Sequence, residues 1–254
     1  MFFVGLGHSH VVALARGAYA LQARGAQFAG EPFSSKFHYL YDAPYEPPFL
    51  ETEEGRRLNP SIADALSDGD PLFVLTSVGG NEHNVVSIAQ RGPRFDFILG
   101  EQPELPLDAR SEIIPEAAIR ETLRDWMEPK VEVLRAISAT TARLVVQIEP
   151  PPPLPREQVL AYPKEFFRTV FDQRRMSSDT LRYKMWRVQT ALLREACESI
   201  GAHYVDTPAD MMDDDGMLML SFCGKDATHA NEAYGEAMIE RALQLVARQT
   251  ALAG

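Results

Sequence analysis

Short apolar runs alternate with helical patterns along the whole chain, and this alternation limits the fold more than any other feature. Five runs predict β-strands, at residues 1–6, 37–41, 71–78, 143–149 and 203–206. Helical patterns fill the intervals, at residues 11–24, 60–67, 115–138, 178–200 and 230–248. Strands that alternate with helices predict an α/β fold, a three-layer α/β/α sandwich around a central, mostly parallel five-stranded sheet.

Two connections between these predicted elements are longer than usual, at residues 83–114 and 150–177. Long connections in compact domains are often functional. The second begins with four prolines from Pro150, which end the fourth strand because proline has no amide N–H to donate. Farther on, an apolar stripe predicts one face of a short helix; its members are Phe166, Phe167, Val170 and Phe171. This face is expected to cover the sheet, and the alternatives are an oligomer contact and a lid over the substrate pocket within residues 156–175.

Composition and charge narrow the possible classes of partner. The net charge is −11 and no basic run occurs, which disfavours nucleic acid and anionic membranes as partners. No stretch approaches the ~18 consecutive apolar residues of a membrane span, and the first apolar run lacks the basic residues of a signal peptide. Cys197 and Cys223 have no metal or redox spacing. We therefore expect a cytoplasmic protein with free thiols, one domain over residues 1–254, although a single disulfide stays an alternative.

The first strand ends in the loop Gly-Leu-Gly-His-Ser-His, which has two interpretations. Gly5 and Gly7, with Asp42 after the second strand, resemble the beginning of a dinucleotide-binding fingerprint. That fingerprint requires a third glycine three residues after Gly7, where this chain has His10. It also requires an acidic residue ~20 residues after the glycines, whereas Asp42 lies more than ~30 residues after them. The alternative interpretation makes Ser9 a nucleophile at the amino end of a helix, although serine is also a routine helix cap.

Polar residues after other strands favour the nucleophile. Asn81 follows the third strand, and its carboxamide can donate to an oxyanion. Asp226 and His229 precede the last predicted helix, where the histidine can act as a general base that the aspartate orients. The carboxyl ends of parallel strands meet at one edge of a sheet, so we expect Ser9, Asn81 and His229 to lie close together.

These segments resemble the sequence blocks of the SGNH, or GDSL-type, hydrolases. The first block, usually Gly-Asp-Ser, resembles residues 7–9, and the third block, Gly-x-Asn-Asp, resembles residues 79–82. The last block, Asp-x-x-His, resembles residues 226–229. The second block contributes a glycine whose backbone N–H helps to form the oxyanion hole. Gly55 is the candidate for this glycine, with Gly69 as a weaker one.

The resemblance implies a flavodoxin-like α/β/α fold and a serine hydrolase that cleaves a small acyl ester through an acyl-serine intermediate. Ser9, Asp226 and His229 would be catalytic, and Ser9, Gly55 and Asn81 would form the oxyanion hole. No cofactor is implied, and the partner is a small-molecule acyl ester, among which O-acetyl carbohydrates are one possibility.

Two positions depart from the family pattern, because His8 and Glu82 each replace the usual aspartate. Together with His10 and His83, these residues are expected beside the substrate pocket. Four histidines in facing loops, His8, His10, His83 and His229, also raise a zinc site as an alternative, but no His-Glu-x-x-His motif accompanies them. We therefore predict no metal. The remaining alternatives are a catalytically silent binding protein with this fold and an NAD(P)-binding oxidoreductase.

Overall fold

The computed structural model describes residues 1–53, 55–90, 92–162 and 176–253. Its centre is a five-stranded sheet in which every neighbouring pair of strands is parallel. The strands are Phe2–Gly7 (β1), Ser34–Tyr39 (β4), Phe73–Ser77 (β7), Leu144–Ile148 (β10) and His203–Val205 (β11), and their order across the sheet is β11-β10-β7-β1-β4. The predicted three-layer α/β/α fold is confirmed.

Helices cover both faces of this sheet. Their bounds are Val11–Ala23 (α1), Pro60–Ser67 (α2), Glu82–Ser87 (α3), Glu116–Thr140 (α4), Arg156–Ala161 (α5), Asp179–Ser199 (α6) and Glu232–Ala253 (α7). Successive strand side chains point to opposite faces, so β1 sends Phe3 into one apolar core and Val4 and Leu6 into the other. Helices α1 and α7 close the first core, and α2, α4 and α6 close the second.

The edge strand β4 begins three residues before the predicted run at residues 37–41. It lies at the edge of the sheet, and its first residues alternate between exposed and partly buried positions, whereas His38 near its end is buried. Ser34, Ser35 and Lys36 therefore belong to the strand despite their polarity. A search for apolar runs finds buried strands such as β7 and misses the polar half of an edge strand.

The helix starts agree with local capping chemistry. Asn59 precedes α2 and its side chain accepts a hydrogen bond from the Ser61 N–H, while Pro60 occupies the first turn. Ser178 precedes α6 and accepts from the Leu181 N–H at 3.1 Å. Both helices begin where the sequence predicts, because the capping residues are read directly from the chain.

Three small strand pairs in the described ranges lie outside the central sheet and were not predicted. They are Gln27–Phe28 (β2) with Glu31–Pro32 (β3), Phe49–Thr52 (β5) with Gly55–Leu58 (β6), and Phe95–Asp96 (β8) with Glu112–Ile113 (β9). The first two are antiparallel and the third is parallel. Short two-stranded pairs carry little hydrophobic periodicity, which is why the pattern of the sequence does not reveal them.

A buried ion pair fixes the long connection at 83–114 to helix α6. The Lys184 ammonium contacts the Asp96 carboxylate, and both side chains are almost completely buried. Lys184 also donates to the Phe97 carbonyl at 2.8 Å, and Asp96 accepts from the Asp108 N–H at 2.9 Å. These additional hydrogen bonds offset part of the cost of removing both charges from water.

The connection at 150–177 is described only in part. Residues 150–162 and 176–177 are described, and the predicted stripe of Phe166, Phe167, Val170 and Phe171 lies outside the described residues. Both cysteines are buried and free. Within the described ranges, every helix is too short or too polar to cross a membrane.

Candidate active site

Ser9 lies directly after β1, at the carboxyl edge of the sheet. Its Oγ accepts a hydrogen bond from Asn81 Nδ2 at 3.3 Å. Helix α1 begins at Val11 with His10 as its capping residue, and no side chain caps it. The alternative in which Ser9 is only a helix cap is therefore not supported. The Ser9 N–H donates to no protein group among the described residues, so it is available to an oxyanion.

Asn81 is presented by a tight glycine turn that follows β7. Gly80 has a φ of +109°, and a Cβ there would lie 2.9 Å from Cδ2 of His10 and 2.8 Å from Cβ of Pro150. Only glycine fits, because the left-handed backbone and the close packing both exclude a side chain. The turn brings the carboxamide of Asn81 to Ser9.

The orientation of the Asn81 amide is set by Asn84 on α3. Asn84 Nδ2 donates to Asn81 Oδ1 at 3.0 Å, and Asn84 is buried. The Asn81 oxygen therefore faces Asn84, and its NH₂ group faces Ser9. Asn84 has no predicted role, although its spacing of three residues from Asn81 gives the two side chains a common face at the start of a helix.

Glu82 holds the same turn from the other side. Its Oε2 accepts from the Gly80 N–H at 2.9 Å, a bond within the turn itself. The sequence prediction placed Glu82 beside the substrate pocket, but its carboxylate is engaged by the backbone and it does not line the cavity that contains Ser9. Glu82 thus helps to hold the turn that positions Asn81.

Asp226 and His229 form a compact turn before α7. Asp226 Oδ2 lies 2.7 Å from His229 Nδ1, and Asp226 Oδ1 accepts from the N–H groups of Thr228 and His229, both at 2.8 Å. An ionised carboxylate only accepts, so Nδ1 carries the proton and Nε2 is the unprotonated, basic nitrogen. The geometry gives His229 the tautomer that a general base needs.

Ser9, Asp226 and His229 line one cavity of about 700 Å³. Helix α1 forms one part of the lining, and the segment before α7 forms another. Besides these three residues, the lining consists of Val12, Ala13, Arg16, Tyr39, Cys223, Gly224, Lys225, Ala230, Asn231 and Glu232. Three of these residues, Arg16, Tyr39 and Lys225, lie outside the motifs that predict the site. The spacing of Arg16 could have indicated its position, because seven residues after Ser9 correspond to about two helical turns and bring the chain back to the same side of α1.

His8 and His10 lie beside the site but do not line this cavity. The ring of His10 is 5.0 Å from that of His229, centroid to centroid, and packs against Gly80. His8 Nδ1 accepts from the Gly79 N–H at 3.0 Å, and its Nε2 lies 3.2 Å from Lys130 Nζ. Burial, followed by the charge of Lys130, lowers the pKa of His8 to about 3, so the ring is neutral at pH 7.

His83 belongs to the protein core, contrary to the prediction of a pocket residue. Its side chain is fully buried, and its Nδ1 lies 3.1 Å from Gln189 Oε1, which also accepts the His83 N–H. Burial lowers the pKa of His83 to about 3. The first residues of α3 turn inward onto α6, which the sequence could not show. Over the part of the chain that the structure describes, no group of three potential metal ligands comes together.

Neither predicted second-block glycine reaches the site. Gly55 lies at the tip of the β5–β6 hairpin, where a Cβ would meet none of the described atoms within 4 Å, and it does not line the cavity. Gly69 packs against the ring of Phe2 at the opposite, amino edge of the sheet. Gly55 is held away from the site because β5 pairs with β6 rather than with the central sheet.

The dinucleotide interpretation of the opening loop finds no matching geometry. Gly5 and Gly7 are residues of β1 itself and not of a loop after it. A Cβ at Gly5 would lie 2.3 Å from the Phe37 ring, and one at Gly7 would lie 2.5 Å from the Ser77 carbonyl oxygen. The two glycines allow neighbouring strands to pack closely, and the turn that a pyrophosphate would require is absent from β1.

Comparison with known proteins identifies the fold. No protein-family model and no curated protein matches this chain. Among solved structures, a proposed acylhydrolase from Bacteroides fragilis has a TM-score of 0.50 at 11% identity, over 98% of this chain and 87% of that one.

Two further structures are similar over most of their lengths. A GDSL-like lipase from Bacteroides thetaiotaomicron has a TM-score of 0.45 at 12% identity, over 96% of this chain and 87% of the other. The periplasmic domain of a lipopolysaccharide acetyltransferase from Salmonella Paratyphi A has a TM-score of 0.48 at 12% identity, over 96% and 83%. The similarity to the acylhydrolase, which extends over nearly the whole chain, shows that this chain shares the fold of that protein.

Proposed function

We propose that this protein is a serine hydrolase that cleaves a small acyl ester through an acyl-serine intermediate. One observation carries the proposal. Ser9 Oγ is within hydrogen-bonding distance of the Asn81 amide, and it shares a cavity with His229, whose Nδ1 is held by Asp226. A nucleophile, an oxyanion donor and an oriented base are the three groups that acyl transfer requires.

In the first half of the reaction, His229 Nε2 accepts the Ser9 hydroxyl proton while Oγ forms a bond to the acyl carbon. The carbonyl oxygen becomes an oxyanion, which Asn81 Nδ2 and the Ser9 N–H stabilise. The amino end of α1 adds a favourable dipole at that point. The ester C–O bond then breaks, and the proton on His229 passes to the leaving alcohol.

In the second half, water replaces the alcohol. His229 accepts a proton from this water while its oxygen attacks the acyl-serine carbonyl, through an oxyanion held by the same donors. The bond between the acyl carbon and Ser9 Oγ breaks, the acid leaves, and Ser9 regains its proton from His229. Asp226 stabilises the charged imidazolium during both halves without taking its proton.

The decisive experiment labels the protein with a fluorophosphonate probe and measures the change in mass, with Ser9→Ala as the matched control. We expect one adduct at Ser9, no adduct on the variant, and loss of ester hydrolysis in that variant. A Ser9→Ala protein that hydrolyses esters at the parental rate would refute the mechanism. Absence of labelling together with thermal stabilisation by NAD(P)H would favour the oxidoreductase instead.

A panel of 4-nitrophenyl esters that differ in acyl chain length then defines the acyl half of the substrate. We expect short acyl chains to be preferred, as the resemblance implies. Absence of both labelling and turnover, in a protein that is folded by circular dichroism, would favour the catalytically silent binding protein.

A further inference from the structure

Two cationic side chains line the same cavity as the nucleophile. Arg16 lies on α1, together with the lining residues Val12 and Ala13. Lys225 belongs to the lining segment before α7, next to Asp226 in sequence. Both are exposed, so neither owes its position to burial in the core. The mechanism proposed above uses neither of them.

The described part of the protein neutralises neither cation. Over the described ranges, Arg16 and Lys225 form no ion pair within 4.0 Å and no side-chain hydrogen bond. Other exposed arginines of the chain are paired, among them Arg24 with Glu236 and Arg143 with Asp70. The chain has a net charge of −11, whereas this cavity is lined by two cations and two carboxylates, so the acidic excess of the chain is absent there.

The acidic groups of the cavity do not cancel this effect by contact. Asp226 is bound by His229 and by two backbone N–H groups. Glu232 is exposed at the start of α7 and forms no ion pair with either cation in the part of the chain that is described. The cations can therefore bind a ligand, with Glu232 as an opposing charge nearby.

The position of Lys225 indicates which half of the substrate it meets. His229 delivers a proton to the leaving alcohol, so the alcohol must lie on the His229 side of Ser9. Lys225 is in the same turn as His229, only four residues before it. Arg16 is seven residues after Ser9, about 10 Å along the axis of α1, a span that its long side chain can partly cover.

We propose that the substrate is an acyl ester whose alcohol half carries an anionic group, a carboxylate or a phosphate, held between Arg16 and Lys225. The inference rests on the proposed function, since it takes His229 as the group that protonates the alcohol. The guanidinium of Arg16 can bind a carboxylate or a phosphate through two parallel N–H donors, and the ammonium of Lys225 adds a second positive charge.

The test compares an anionic and an uncharged acetyl ester of similar size, 4-acetoxybenzoate and its methyl ester, and follows release of the acetyl group from each. The anionic ester is expected to have the higher kcat/KM, and the ratio of the two values is the readout. In the double variant Arg16→Gln/Lys225→Gln, this ratio is expected to fall about tenfold, as is typical for loss of two exposed charge contacts. Sodium chloride at about 1 M is expected to lower the ratio of the parent, because it shortens the screening length to ~3 Å.

Two single variants serve as controls. Glu232→Gln removes the opposing charge and is expected to raise the ratio. Arg143→Gln removes one positive charge at the amino edge of the sheet, far from Ser9 in the fold, and is expected to leave the ratio unchanged. A fall of similar size in Arg143→Gln would assign the effect to net charge and overturn the proposal.

The remaining outcomes separate this inference from the proposed function. If the fluorophosphonate labels Ser9 and the methyl ester is hydrolysed, but the parent shows no preference for the anion, the inference is wrong and the function stands. The enzyme could instead prefer mono-4-nitrophenyl succinate to 4-nitrophenyl butyrate and show no preference for 4-acetoxybenzoate over its methyl ester. This result would place the anion in the acyl half of the substrate and would also overturn the inference. If Ser9 is not labelled and neither ester is hydrolysed, the proposed function fails, and the inference with it. Replacing 4-acetoxybenzoate with 4-acetoxyphenyl phosphate distinguishes the two anions.

Discussion

The two halves of the candidate site are held in different ways. His229 is oriented by Asp226, three residues away in the same turn, through one side-chain and two backbone contacts. Asn81 is oriented by Asn84, while its glycine turn is held by His8 from the end of β1, and His10 from the start of α1 packs against the same turn. The carboxylate that orients the base comes from the same turn, although the ring of His10 also packs beside His229, whereas the oxyanion donor depends on the packing of several elements. Substitution of Asp226 should affect the chemistry more than the stability of the fold, whereas substitution of the residues that hold the glycine turn should also affect stability.

The largest effect is expected from Asp226→Asn. The asparagine amide can donate to Nδ1, which would favour the tautomer with its proton on Nε2 and block the base. We expect kcat to fall by roughly 10³–10⁴, by analogy with the same change in serine protease triads. Steady-state kinetics measure the loss, and thermal unfolding should show little change because the contacts are local. A large drop in the unfolding temperature would show that this turn is also coupled to the fold.

A smaller effect is expected from Asn84→Ala, which frees the Asn81 amide to rotate. Loss of Asn81 itself should lower kcat by about 10²–10³, as for other oxyanion donors. Asn84→Ala should lower kcat by about tenfold with little change in KM, because Asn84 acts through Asn81 and not on the substrate.

A double-mutant cycle separates this positioning role from a general structural one. If Asn84 acts only through Asn81, the double variant Asn81→Ala/Asn84→Ala should be no slower than Asn81→Ala alone. Independent, multiplying losses would instead mean that Asn84 acts on the fold. Asn84→Gln, which keeps the amide donor, is expected to recover part of the lost kcat.

The smallest effect concerns the stability of the glycine turn at acid pH. Burial and Lys130 lower the pKa of His8 to about 3, below its ordinary value of 6.5. The native state therefore binds fewer protons than the unfolded state below pH 6.5, and the free energy of unfolding falls as the pH decreases from 6.5 toward 3. At pH 5 this loss is on the order of 1–2 kcal/mol for His8 alone.

The variant His8→Asn tests this coupling, because its amide oxygen can still accept from the Gly79 N–H and does not titrate. Urea unfolding at pH 7.5 and pH 5 should show a smaller difference in unfolding free energy for the variant than for the parent. An equal difference in both proteins would mean that His8 does not carry the acid sensitivity. In that case the half of the site that contains Asn81 would not owe its sensitivity to acid to His8.

The sequence predicted the central strands because they are buried on both faces and are nearly continuous in apolar residues, as β7 is. It also predicted the local turn of Asp226 and His229, since a side chain three residues away needs no information about the rest of the fold. It failed for Gly55, because pairing of β5 with β6 is decided by competition with the sheet, and for His83, because the side on which α3 packs is a tertiary property.

The sequence by itself thus determined which residue types follow which strands, and hence that a serine, a carboxamide and an aspartate–histidine pair would share one edge of a parallel sheet. Only the tertiary structure decided what surrounds them. In the folded protein, Glu82 binds a backbone N–H and His83 is buried in the core. The Asn81 amide is hydrogen-bonded to Asn84, and Arg16 and Lys225 line one cavity. The physical reason is that strand and turn patterns follow from neighbouring residues, whereas the direction of a side chain depends on elements far away in the chain.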